Sequence, residues 1–357
     1  TFYKRFTGKK SSEKVYSGFI NDKKESWTQK LSVFIRGNFF IPDARKFWIK
    51  PGSKFLLKYV TDNKIDCIVS TGPPHSTHLI AFNVAKRTKT PWIADFRDPW
   101  TNIDFYDQLR LTNWADKKHK KLEQLTLRNA SKIVTVSNSW ADDFRKLSNR
   151  EVTVIRNGFD HADFENNTAV LDKKFTICHI GSMNSDRNPE ALWIALDKLA
   201  SKHQFSQSLS IKLIGQVDHS IFRSIEQYNL TPYLNHIPFL SHKDALKELQ
   251  SSQVLLLPIN DTPNSLGVIP GKIYEYLGAR RPIIGIGPLN GDSAQILNDS
   301  GAGTMFAYES HSEIGSQIEN YFDDFSKGQL ESKTGQIMQY SRKAMAKSYA
   351  ELLEDLT

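Results

Sequence analysis

Short apolar runs rich in Val, Ile and Phe alternate along most of the chain with segments whose apolar residues repeat every three or four positions. Strands separated by helices of ten or more residues pair in parallel, so this alternation constrains the chain to parallel sheets covered by helices. In the first half the predicted strands are Ile65–Ser70, Trp92–Phe96, Lys132–Ser137 and Val152–Arg156, with helices such as Ser76–Lys86 and Trp114–Asn129 in the gaps. In the second half they are Phe175–Ile180, Ser210–Ile214, Val254–Leu257 and Pro282–Ile286, alternating with helices near Pro189–Lys202, Lys243–Gln250 and Pro270–Ala279. A length of 357 residues exceeds one ordinary core and suits two α/β domains with a cleft between them. The expected organisation is a first domain over 1–159, a polar, aperiodic connection over 160–174, and a second domain over 175–335. Residues 336–357 are expected to form a closing amphipathic helix that packs back on the first domain.

The two cysteines, Cys67 and Cys178, sit inside apolar strand-like runs. That argues against a disulfide framework and for a reducing compartment, so the cytoplasm is the expected location. No apolar run approaches the roughly 20 residues needed to cross a bilayer, and no signal peptide is visible from Thr1. Residues 1–50 hold twelve Lys and Arg against four Asp and Glu, a surplus equal to the net charge of +8 of the whole chain. Phe2, Tyr3, Phe6, Phe19, Trp27, Phe34, Phe39, Phe40, Phe47 and Trp48 are interleaved with them. The mixture suits an anionic membrane surface as a partner, and equally a solvated basic face over core aromatics. Nucleic acid is not expected, because no RNA-module or zinc-finger spacing accompanies the basic residues.

Residues Val268–Ile284 carry the most specific chemistry. Pro270 fits the first position of a helix, and Gly271, Lys272 and Glu275 follow within about one turn, where free backbone N–H groups make an anion site. Lys272 and Glu275 are three apart and share a helix face, placing a cation for phosphate beside a carboxylate that can accept two hydrogen bonds from a vicinal diol. A surface helix with a Lys–Glu pair explains the same residues. Strand Phe175–Ile180 runs into Gly181, Ser182 and, five residues later, Arg187 before Pro189 starts a helix. Such a turn brings backbone amides to phosphate at the carboxyl edge of a parallel sheet, and a guanidinium binds phosphate oxygens bidentately. An ordinary strand-to-helix loop is the alternative.

In the first domain Asp95, Arg97 and Asp98 follow strand Trp92–Phe96. Asp95 can orient a sugar hydroxyl or act as a base, while Arg97 and Asp98 are expected to pair and hold the loop. His75 and His78 lie near a helix start, where His75 is expected to remain neutral. The ten histidines are scattered and no cluster has ligand spacing, so no metal is expected.

These motifs together resemble the GT-B glycosyltransferases, in particular the group 1 or family 4 retaining enzymes. Ile155–Asp160, reading I-R-N-G-F-D, looks like the N-G-x-D that closes the family's first domain, and Val136–Ser139 like the strand-end serine before it. Gly181, Ser182 and Arg187 fall on the G-R-L-x-x-x-K-G motif, with Arg187 at the diphosphate-binding lysine position. Lys272 and Glu275 match the P-x-K-x-x-E-Y variant, whose glutamate holds the ribose. Three departures stand out. Ser182 replaces an arginine, Gly267 replaces the first glutamate of E-x7-E, and the family's opening strand, glycine loop and helix are not recognisable from Thr1 on, so the first domain is expected to be truncated.

The resemblance implies two Rossmann-like domains facing a cleft and transfer of a sugar from a nucleotide diphosphate to an acceptor hydroxyl, with retention and without a required metal or cofactor. Arg187 and Lys272 would stabilise the leaving diphosphate, and Asp95 would be the catalytic residue of the first domain. Gly181, Ser182, Asn264, Gly271 and Glu275 would bind the donor with them, and His75, Asp95 and Arg97 would face the acceptor. With Gly267 in place of the glutamate, Asn260, Asp261 or Asn264 would supply donor-sugar contacts. A glycan or lipid-linked acceptor at the inner face of the membrane would place the enzyme in surface polysaccharide or lipopolysaccharide synthesis. A sugar-nucleotide epimerase of the same fold, or a non-catalytic glycan- or lipid-binding relative, are the rival readings.

Overall fold

The computed structural model describes residues 27–165, 169–332 and 335–356. Two parallel sheets form, each strand alternating with helices. The first has the order β1-β2-β3-β4, built from Ile68–Gly72 (β1), Trp92–Phe96 (β2), Lys132–Thr135 (β3) and Thr153–Val154 (β4). The second comprises Phe175–Ile180 (β5), Leu209–Ile214 (β6), Leu234–Ile237 (β7), Val254–Pro258 (β8), Ile283–Ile286 (β9) and Gly303–Phe306 (β10). Its order is β10-β9-β8-β5-β6-β7, so the chain winds one way from β5 and the other way from β8. The crevice between β5 and β8 is therefore the topological switch point, where ligands bind in open α/β sheets.

Both sheets are covered on two faces, which is why central strands such as Trp92–Phe96 and Val254–Pro258 are buried at every position. Strands β7 and β10, absent from the sequence expectation, are short and only partly buried, so their runs are less apolar. Several expected elements also shift. Strand β1 lies three residues further on at its start than predicted, and the helix after β8 spans Lys272–Ala279 with Gly271 as its N-cap, so Pro270 precedes the helix. A 3-10 turn, Ser185–Arg187, separates the β5 glycine turn from helix Glu190–Ala200. The closing helix is broken into a 3-10 turn, Ile337–Tyr340, and a helix, Arg342–Glu354.

That break lets the chain cross between domains a second time. Ile337 and Tyr340 pack in the second domain's core, whereas Leu352, Tyr349 and Met345 pack on Ile93, Val134 and Ile155 of the first. The two crossings run side by side, with Phe159 N donating to Tyr340 O (3.1 Å) and Arg342 N to Phe159 O (2.8 Å). A Cβ on Gly158 would lie 2.7 Å from Tyr340 O, so the glycine of N-G-F-D is needed for backbones to approach this closely. Beyond the first crossing Phe164 already packs in the second domain's core, so that domain recruits part of the polar connection.

The domains also meet across the cleft. Asp292, just inside helix Asp292–Ser300, accepts from Asn138 N (2.8 Å) and Ser139 N (3.0 Å), capping helix Asn138–Ser148 of the first domain. Trp140 of that helix is 6% exposed and its indole edge lies against Gly267.

Candidate active site

The residues singled out on the second domain converge at the β5/β8 switch point. The two strands pair only at Ile177↔Val254 and Cys178↔Leu255 and then part, which leaves backbone groups needing other partners. The hydroxyl of buried Tyr276 accepts from Ile180 N (3.1 Å) and donates to Leu256 O (3.3 Å). His179 Nδ1 bonds the same carbonyl at 3.0 Å. The crevice is thus held open by side chains from β5 and helix Lys272–Ala279.

Gly181 ends β5 with φ +109°, a conformation that favours glycine. The Nζ of Lys272 lies 3.1 Å from where a Cβ on Gly181 would stand, so the amine rests on the glycine turn. Lys272 also bonds His179 Nε2 at 3.0 Å. Burial, then the charge of Arg187, hold its pKa well below the ordinary lysine value. Gly271 is exposed and a Cβ there would touch nothing within 4 Å, so the helix N-terminus is open to a ligand.

Arg187 reaches across the crevice from the 3-10 turn. Its Nε bonds Asn260 Oδ1 after β8, and Nη1 donates to Ser182 O (3.2 Å). Burial lowers its pKa, opposed by Asp104 of the first domain and by Asp186. Asn260 in turn donates to Asp104 Oδ2 (3.3 Å), and Asn264 to Asn102 O (3.3 Å), so the loop after β8 is tied to the opposite domain. Ser182 is exposed beside this group.

Glu275 faces a cavity of about 450 Å³ at the cleft floor, lined also by Arg97, Asn157, Asp163, Gly271 and Tyr349. Burial raises its pKa, offset chiefly by His242, whose Nδ1 is 3.8 Å away. The pairing leaves the carboxylate partly accessible, at 35% side-chain exposure.

The first-domain candidates behave differently. Asp95 is 3% exposed, and its Oδ2 accepts from Arg97 Nε (2.8 Å) and Thr71 Oγ1 (3.2 Å). Arg97 therefore pairs with Asp95 and not with Asp98, because residues two apart on an extended chain point to the same side. Its remaining nitrogens reach Asn157 Oδ1 (3.1 Å) and Tyr349 OH (2.8 Å), which makes it a tie between both crossings. His75 is buried and stacked on Trp100, with ring centroids 4.7 Å apart. Burial, then His119, push its pKa down to about 3, so it is neutral but does not reach the cleft surface. Asp98 is pushed up to about 6 by burial and by Asp104, the first-domain carboxylate that acts on Arg187.

His179 and Trp140 were not singled out from the sequence. A histidine inside the apolar run Phe175–Ile180 was the available signal, since a fully buried polar side chain requires partners.

Two parallel-sheet domains, joined by paired crossings and facing each other across a cleft, define the GT-B fold of glycosyltransferases. Residues 19–163, which span most of the first domain, match the family model described as Glycosyltransferase Family 4. Sucrose-phosphate synthase from Thermosynechococcus elongatus superposes with a TM-score of 0.64 at 13% identity, over 88% of this chain and 79% of that one. A glycosyltransferase from Rickettsia africae gives 0.62 at 14%, over 87% and 82%. Anabaena HepE in complex with UDP-glucose gives 0.61 at 14%, over 85% and 82%. No curated protein matches the chain in sequence.

Proposed function

We propose that the protein is a glycosyltransferase that moves a sugar from a nucleoside diphosphate sugar to an acceptor hydroxyl, with retention and without a required metal. The observation that carries this is the meeting of Arg187, Lys272 and Glu275 around the β5/β8 crevice, with the open helix N-terminus at Gly271. The diphosphate would lie against the Gly181 turn between Lys272 and Arg187, and the ribose diol would bond Glu275 in the cavity. As the bond from the sugar to the diphosphate breaks, charge grows on the leaving oxygen. Lys272, Arg187 and the helix dipole stabilise it, and that oxygen takes the acceptor proton. Asp104, Asn102 and Trp140 close the cleft from the first domain and exclude water.

The acceptor is proposed to be a glycan or lipid-linked hydroxyl, in surface polysaccharide or lipopolysaccharide assembly. Support comes from the exposed aromatics Trp27, Phe39, Phe47, Trp48 and Phe55, set among Lys30, Lys46, Lys50 and Lys54. Phe2, Tyr3, Phe6 and Phe19 lie outside the described residues. No described helix is long and apolar enough to cross a membrane.

The test is turnover of a panel of nucleotide sugars with and without glycan acceptors. Nucleoside diphosphate released in step with a glycosylated product supports the assignment; an epimerised donor, formed without acceptor, overturns it.

A further inference from the structure

We propose that His179 is the positioning residue for Lys272, holding its amine over the Gly181 turn where the donor diphosphate binds; this rests on the function proposed above. Two backbone carbonyls act on the ring, Leu256 more strongly than Ser182; Leu256 O, 3.0 Å from Nδ1, can only accept, so the proton of His179 sits on Nδ1. Nε2 is then left with only an acceptor lone pair, and it receives the hydrogen bond from Lys272 Nζ at 3.0 Å. Because His179 is fully buried on β5, its ring cannot turn away. The tautomer set by β8 therefore fixes where an amine on a different element points.

The charged groups around the pair are few. Arg187 approaches from the 3-10 turn and Glu275 lies one turn along the same helix, and these act on Lys272 in opposite directions. An acceptor on Nζ favours the ammonium form, and an incoming diphosphate favours it further. Donor binding should therefore take up a proton at Lys272. Deleting the Nε2 acceptor lowers the amine's pKa in the free protein. The affinity loss with rising pH then begins at lower pH, and the deficit is largest at the alkaline end of the transition.

UDP, ADP and GDP are titrated by calorimetry from pH 6 to pH 10 in two buffers of different ionisation enthalpy, using wild type, His179→Phe, His179→Gln and Lys272→Met. Leu256 O keeps its bond from Tyr276 in each His179 variant, which favours folding. We expect His179→Phe to weaken binding about tenfold at the alkaline end of the series, with the loss shrinking toward its acid end. His179→Gln should recover part of it, and Lys272→Met should abolish proton uptake. A loss of equal size at every pH, or wild-type affinity in His179→Phe, overturns the positioning role while the nucleotide site stands. Absence of binding to wild type overturns both.

Discussion

At the scale of single residues the site is an economy of small distances. Lys272 bonds His179 and stands over Gly181, and Arg187 is held to Asn260 across the crevice. Glu275, one turn along from Lys272, faces the cavity, with His242 Nδ1 3.8 Å away as an ion-pair partner. A carboxylate kept this accessible is available to a ribose diol. Glu275→Ala is expected to weaken nucleoside-diphosphate binding by about 1–3 kcal/mol, the range for lost hydrogen bonds to a charged group. Calorimetry checks it, and unchanged affinity would remove the ribose role. Lys272, Glu275 and Arg187 were legible in the sequence because helix geometry and a glycine turn give them a fixed relation to nearby backbone. The partners of Asp95 were not legible there, for an equally local reason. The residue after a strand end looks free in sequence, and only the fold shows Arg97 and Thr71 closing on it.

At the scale of elements, Gly267 and Trp140 explain each other. A side chain at 267 would begin 2.2 Å from the indole Nε1, so the position where the family carries a glutamate is filled from the opposite domain. That indole nitrogen is buried and has no hydrogen-bond partner, which marks a contact set by packing. Gly267→Glu is expected to destabilise the folded protein by about 1–3 kcal/mol through overpacking. Trp140→Ala in the same chain should recover part of the loss. Thermal unfolding of the two single variants and the double variant measures this, and a Gly267→Glu protein as stable as wild type would contradict it. The helix and strand pattern was readable for buried central elements, where apolar runs are continuous; strands β5 and β2 fall on the predicted residues. Edge strands β7 and β10 were unreadable because partial burial weakens their apolar signal. The Trp140 contact was also out of reach, since it depends on how two domains meet.

At the scale of the whole molecule, two crossings and a set of cleft contacts relate the domains. Arg97 ties β2 to Asn157 on one crossing and to Tyr349 beyond the other, beside the cavity that Glu275 lines. The exposed aromatic and basic face of helices Trp27–Phe39 and Ile49–Asp62 belongs to the first domain, the side expected to take the acceptor. If that face meets an anionic bilayer, charge reversal at Lys46, Lys50 and Lys54 should reduce vesicle binding, and added salt should weaken binding by wild type. Vesicle flotation reads this directly, and equal binding by the variant would reject it. The central claim is more compact: the β5/β8 crevice binds a nucleoside diphosphate through Arg187 and Lys272. The most direct measurement is the affinity of UDP, ADP and GDP for wild type and for Arg187→Ala and Lys272→Met. Wild type should bind at least one nucleotide saturably, and each variant should lose about tenfold or more in affinity. Binding that is indifferent to both substitutions would contradict it.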